Sequence, residues 1–171
     1  MDASRLVVRE RVADDLDAVV SIAEEVKALD DYPSFLGDGT LRGFVDPEDA
    51  MGAWVATIDD LVVGNVLLRS RSAPVSSELA TAALGVEASD LAFVARLMVA
   101  PSARRRGVAR ALLEAATCAA QARGRTVVLD VVEHDAAAIA LYESCGWRSL
   151  GHRVLTTRSG VELPISVYAA P

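Results

Sequence analysis

An apolar run at residues 92–99, a long helical stretch at 103–123 and a second apolar run at Thr126–Val132 follow one another with almost no linker. This order constrains the fold more than any other feature of the chain. Antiparallel strands need only a tight turn between them, whereas a strand, a helix and a strand in succession imply a parallel pair with a right-handed crossover. The helix signal rests on Val108, Leu112, Ala115, Ala116 and Ala119, which share one face, and on Gly124, which ends the stretch. Thr126–Val132 carries a single charge, Asp130, in an almost continuous apolar run. That is the pattern of a central strand covered on both faces.

Upstream, residues 6–9 read as a short strand, and Asp14 as the cap of a helix whose apolar face is Leu16, Val19, Val20, Ala23 and Val26. A turn-rich segment follows, with Tyr32-Pro33 and Gly37-Asp38-Gly39, and Asp46-Pro47-Glu48 reads as the cap and first turn of a short helix. Residues 54–58 and 61–68 flank Asp59-Asp60 and should pair as a hairpin. Residues 70–90, rich in serine, read as a surface excursion with a short helix near 78–84. A further helix runs from Asp135 to about Ser144, and two strands, near 147–157 and 161–169, close the chain around Arg158-Ser159-Gly160. Trp54 and Trp147 read as core or strand-edge aromatics.

With no internal repeat or low-complexity linker, 171 residues suit one domain, 1–171. No apolar run approaches the length of a membrane span, and the first residues, Met1 to Arg5, lack a signal-peptide core, so a cytoplasmic protein without membrane attachment is expected. Cys118, Cys145, His134 and His152 have no ligand spacing, so no metal is expected. Residues 1–60 carry 15 acids and 5 bases, and residues 61–171 carry 9 acids and 12 bases. The overall acidity disfavours nucleic acid as a partner, while the basic remainder suits a phosphorylated ligand.

That ligand has an obvious place in Pro101-Ser102-Ala103-Arg104-Arg105-Arg106-Gly107-Val108-Ala109-Arg110, where a strand breaks into a helix. The first amides of a helix lack internal acceptors and carry the positive end of its dipole, so they can hold a pyrophosphate. Gly107 and Ala109 would let it approach the backbone, and the arginines add charge. The alternative is a plain helix start with solvated arginines. Neither GxxxxGK[ST] nor GxGxxG is present.

Arg104-Arg105-Arg106-Gly107-Val108-Ala109 resembles the R/Q-x-x-G-x-G/A signature of the GNAT N-acetyltransferase superfamily, with Ala109 in place of the last glycine. Residues 138–147, AIALYESCGW, are similar to that family's second motif, and the region around Leu129-Asp130-Val131 is similar to bacterial ribosomal-protein N-terminal acetyltransferases. The resemblance implies a mixed α/β domain: a mostly antiparallel sheet of about seven strands with one splayed parallel pair, flanked by about four helices. It implies acetyl-CoA as co-substrate, with Arg104, Arg105, Arg106, Gly107, Val108, Ala109 and Arg110 around its pyrophosphate and the backbone of Leu97, Met98 and Val99 along its pantetheine arm and thioester. Asp135 stands where many members carry an asparagine that contacts the cofactor, and an ionised carboxylate there cannot donate.

By the same resemblance Tyr142 is the general acid to the departing sulfur, and Asp130 aligns with a glutamate assigned as general base. On the residues alone, Tyr142 could instead pack its ring, and Asp130 could be a structural carboxylate bonded to backbone or an arginine. Glu133 and His134 are reserve bases. Asp30, Asp31 and Tyr32 either recognise a cationic acceptor or form a solvated loop. The expected activity is acetyl transfer to the primary amine of a small-molecule or protein acceptor, against a non-catalytic CoA-binding protein of the same fold. A homodimer is left open, through pairing of the C-terminal strand.

Overall fold

In the computed structural model, which describes residues 5–33, 36 and 39–171, Asp59 and Asp60 both take left-handed φ, 51° and 64°. That backbone twist matches two paired strands, and it joins β2 (Ala50–Ile58) to β3 (Leu61–Arg69) as expected. β1 (Leu6–Glu10) lies antiparallel to β2, with Leu6 opposite Ile58 and Glu10 opposite Trp54. Met1 to Ser4 and the Gly37-Asp38 part of the expected turn lie outside the described residues.

The full strand order is β1-β2-β3-β4-β5-β7-β6, where β4 is Leu91–Val99, β5 Thr126–Val132, β6 Arg148–Thr156 and β7 Glu162–Ala169. The sheet is mostly antiparallel with one parallel pair, β4 and β5. The chain groups into two compact units, 1–68 with 96–116 and 69–95 with 117–171.

In the first unit, α1 (Leu16–Asp30) buries Val19, Ile22, Ala23 and Val26. Its start differs from the expected Asp14 cap. A 3-10 turn at Ala13–Asp15 precedes it, and Asp15 is the working carboxylate: it accepts from the Val12 amide at 2.8 Å and from both Arg9 terminal nitrogens at 2.7 Å. These bonds hold the Asp15 carboxyl below the usual carboxylate range, the Arg9 contact being the main cause. A depressed folded value stabilises the fold above the unfolded value of about 3.9 and loses that contribution as pH falls through the folded value. Asp15→Ala should therefore lower stability by about 1–3 kcal/mol at pH 7. Urea unfolding should show the gap from wild type narrowing below roughly pH 4, and a pH-independent gap would discount the ion pair.

A fifth helix, α2 (Leu41–Val45), precedes the position expected for a helix start at Asp46. Thr40 caps it by accepting from the Gly43 amide, and Asp46 ends it instead of beginning one. α4 (Val108–Gln121) starts five residues later than expected, after a 3-10 turn at Pro101–Ala103. Its buried stripe in this unit is Val108, Leu112, Leu113 and Ala116, so Leu113 replaces the expected Ala115. A Cβ on Gly64 would come within 2.9 Å of Leu112 and 3.0 Å of Val108, so the glycine is what lets α4 lie close to β3.

In the second unit, residues 70–90 form no surface excursion. α3 (Pro74–Leu84), with proline in its first turn, packs Leu79 and Ala80 against Leu91, Phe93, Val128, Val167 and Ala169. The parallel register covers Leu91↔Thr126 to Phe93↔Val128, after which β5 continues to Val132 with β7 beside it. β7 is inserted between β5 and β6. The C-terminal strand therefore already has two neighbours, which removes it as the strand of a dimer contact, and β6 is the edge. α5 (Ala136–Ser144) follows β5. Trp54 and Trp147 are both buried.

Candidate functional site

The residues singled out by sequence fall into two groups, one in each unit. In the first, β4 ends at Val99, and the Ala100 amide donates to the Val63 carbonyl at 2.8 Å, tying the strand end to β3. After the 3-10 turn, Arg105 and Gly107 take left-handed φ of 62° and 78°, and the Ala111 amide makes the first helical bond to the Gly107 carbonyl at 3.1 Å. The amides of Val108 and Ala109 thus belong to the first helical turn, where no carbonyl of the helix reaches them. A Cβ at Gly107 would meet nothing within 4 Å, so the glycine borders open space. The three arginines lie ahead of the helix, not in its first turn. Arg105 and Arg106 are exposed, as is Arg110 one turn on. Open space at the glycine, first-turn amides and concentrated positive charge are features that suit the pyrophosphate of a nucleotide-like group.

Arg104 has a different task. Its guanidinium pairs with the Asp30 carboxylate at the end of α1, and its Nε donates to the Val99 carbonyl at 3.4 Å. Asp30 thus ties the end of α1 to the turn. Asp31, left-handed at φ 54°, ends α1 and pairs with Lys27 at 2.6 Å. Tyr32 meets the ring of Phe44 edge-on, with centroids 5.7 Å apart.

In the second unit, Asp130 accepts from the Ser72 hydroxyl at 2.6 Å. Ser72 stands two residues before α3, so the carboxylate lies by the positive end of that helix, which offsets its placement in an apolar strand. No sequence signal marked Ser72, because only the fold brings it to β5. Asp130 is opposite Val167, on the face of β5 covered by α3.

Tyr142 lies on the other face. It is buried in α5, and its ring packs against Trp147 and Tyr168, at 6.1 and 6.3 Å between centroids. Tyr168 pairs in register with Leu129, one residue out of phase with Asp130, and side chains alternate between faces along a strand. The Tyr168 phenol donates to Glu143 at 3.0 Å, and burial, reinforced by that carboxylate, pushes its pKa up.

Asp135 caps α5 by accepting from the Ala138 amide at 3.0 Å. Of the reserve bases, Glu133 contacts His152 Nδ1 at 2.6 Å and accepts from Ser166 at 3.3 Å, and His134 is exposed. Among the described residues no cluster of three metal-ligating side chains is found, and no helix is long and apolar enough to cross a membrane.

Residues 17–147 match the acetyltransferase (GNAT) family. Among solved structures, the chain is similar to the ribosomal-protein-S18-alanine N-acetyltransferase from Escherichia coli, with 23% identity and a TM-score of 0.68 over 98% of this chain and 94% of that one. It is also similar to an N-acetyltransferase from Staphylococcus aureus Mu50, at 19% identity and TM-score 0.72 over 97% and 98% of the two chains. A third is Arabidopsis thaliana NAA60, solved in complex with acetyl-CoA, at 18% identity and TM-score 0.70 over 96% and 97%. At these identities the likeness establishes the fold. No curated protein matches the chain by sequence.

Proposed function

Since the chain belongs to the acetyltransferase (GNAT) family, we propose that it moves the acetyl group of acetyl-CoA to a primary amine, on a small molecule or a protein, by direct attack in a ternary complex in the cytoplasm. Residues 1–171 act as one N-acetyltransferase domain, because β4 and α4 each contribute residues to both units. The reading is carried by the turn from Arg104 to Arg110, with its left-handed Gly107, the open space there and the helix start that follows at Val108. There Val108 and Ala109 donate to the pyrophosphate, Gly107 admits it, and Arg105, Arg106 and Arg110 neutralise it. Arg104 serves the same group through Asp30 and Val99, by fixing the turn.

The backbone of Leu97, Met98 and Val99 meets the pantetheine arm and the thioester, and an amide of this strand stabilises the oxyanion. An alkylamine has a pKa near ~10.4 and must lose a proton before it attacks. Asp130 accepts that proton, directly or through a water, with Ser72 orienting the carboxylate through Oδ2. The nitrogen then bonds to the carbonyl carbon, the carbon–sulfur bond breaks, and Tyr142 gives its phenolic proton to the thiolate. The second proton that the nitrogen sheds on becoming an amide passes through water to restore the phenol, while Asp130 releases the first to solvent. Acid and base approach from opposite faces of β5, so two groups perform the two proton transfers. Asp135 contributes by capping α5, the helix that carries Tyr142.

Calorimetric titration with acetyl-CoA, followed by thiol release in the presence of a panel of amines, tests the reading. One-site binding with amine-dependent release is expected. Binding without release for any amine would favour a non-catalytic CoA-binding protein, and no binding at millimolar acetyl-CoA would remove the pyrophosphate role of the turn.

A further inference from the structure

β4 contains a residue that a regular strand does not accommodate. Arg96 has φ 54°, the left-handed region that residues other than glycine rarely enter, and it stands directly before Leu97. A left-handed residue interrupts the pleat and re-aims the backbone groups that follow it. Outliers of this kind persist only where surrounding contacts over-determine them.

Those contacts are present. The Asn65 amide nitrogen donates to the Arg96 carbonyl at 3.1 Å, and its oxygen accepts from Arg11 at 3.2 Å. The same Arg11 nitrogen donates to the Val45 carbonyl at 2.6 Å, and the other terminal nitrogen pairs with Asp46. From the far side, Arg96 Nε donates to the Phe44 carbonyl at 3.1 Å, and its guanidinium carbon lies 3.9 Å from the centre of the Phe44 ring. Asn65 is completely buried beside Val66, Leu67 and Leu68, and only 7% of the Arg11 side chain is exposed. An asparagine and an arginine at such positions carry a desolvation cost that a well-packed apolar pair would avoid, and burial pushes the Arg11 guanidinium down accordingly. What the polar pair supplies that apolar residues cannot is a directed donor at the Arg96 carbonyl.

We infer that Asn65, oriented by Arg11, is a positioning residue for acetyl transfer: it holds the left-handed turn at Arg96 and so aims the backbone of Leu97, Met98 and Val99 at the reacting thioester. This rests on the functional reading above, which places those three residues at the thioester. The pyrophosphate turn lies further along the chain and makes none of these contacts. Loss of the anchor therefore acts more on turnover than on donor affinity, which it reduces only through the pantetheine contacts of the same strand.

Asn65→Asp tests this directly, because it keeps an acceptor for Arg11 while removing the donor to Arg96. Turnover should fall on the order of 10²-fold, the effect of misplacing a reacting group by about 1 Å, with a smaller loss of acetyl-CoA affinity in the calorimeter, about tenfold at most. Arg96→Gly added to that variant should recover a large part of the loss, because glycine adopts positive φ without help. A purely structural role predicts no such rescue. Should Asn65→Asp fail to fold, Arg96→Val and Arg96→Gly decide the question, since valine resists positive φ: turnover should be far lower with valine. Wild-type turnover in folded Asn65→Asp, or equal turnover for the two Arg96 variants, overturns the inference. A wild-type protein that neither binds acetyl-CoA nor releases thiol would overturn the functional reading itself.

Discussion

Replacing Gly107 by glutamate should abolish acetyl-CoA binding while leaving the fold intact. The new side chain enters open space, so no packing is disturbed, and its carboxylate stands where the pyrophosphate is proposed to sit. One close pair of like charges costs about 4 kcal/mol at an effective dielectric of 20, enough to lower affinity roughly a thousandfold. The left-handed φ of 78° adds a cost of about 1–2 kcal/mol for any side chain, and Gly107→Ala measures that cost alone. Calorimetry on both variants, with thermal unfolding as the check on folding, separates charge from backbone. Unchanged affinity in Gly107→Glu would mean that the pyrophosphate lies elsewhere.

Tyr142→Phe should have the other large effect, on turnover and not on binding. The ring packs between Trp147 and Tyr168, and phenylalanine preserves both ring contacts, with thermal unfolding as the check on folding. Without the phenol the departing thiolate lacks its proton donor, and general-acid catalysis contributes roughly 10²–10⁴-fold. Steady-state kinetics should show kcat reduced by at least about a hundredfold, with the dissociation constant for acetyl-CoA near that of wild type. Equal turnover would make Tyr142 a packing residue only.

Features that depend on neighbours in the chain were legible in the sequence. The Asp59-Asp60 turn, the limits of β5 and the end of α4 before Gly124 follow from turn chemistry and from apolar periodicity. The Arg104 to Ala109 motif was equally plain, because it is assembled from consecutive residues. Element starts were less legible. Asp14 and Asp15 are both good caps, and only the position of Arg9 on β1 selects Asp15. Ala103 suits a helix, yet left-handed Arg105 and Gly107 delay its start to Val108.

Asp30 read either as an acceptor contact or as part of a solvated loop, and its pairing with Arg104, 74 residues away in sequence, had no local signal. Asn65 was not singled out by the sequence, because its task depends on Arg11 and on the backbone angle of Arg96. Periodicity and contiguous motifs were enough for the class of sheet, the family and the glycine turn ahead of α4. Tertiary structure alone decided the insertion of β7 between β5 and β6, the Ser72 contact to Asp130, the opposite faces of Asp130 and Tyr142, and the anchoring of Arg96. Each of these joins residues far apart in the chain. Such pairings follow from strand order and from which face a side chain takes, and no local pattern encodes either.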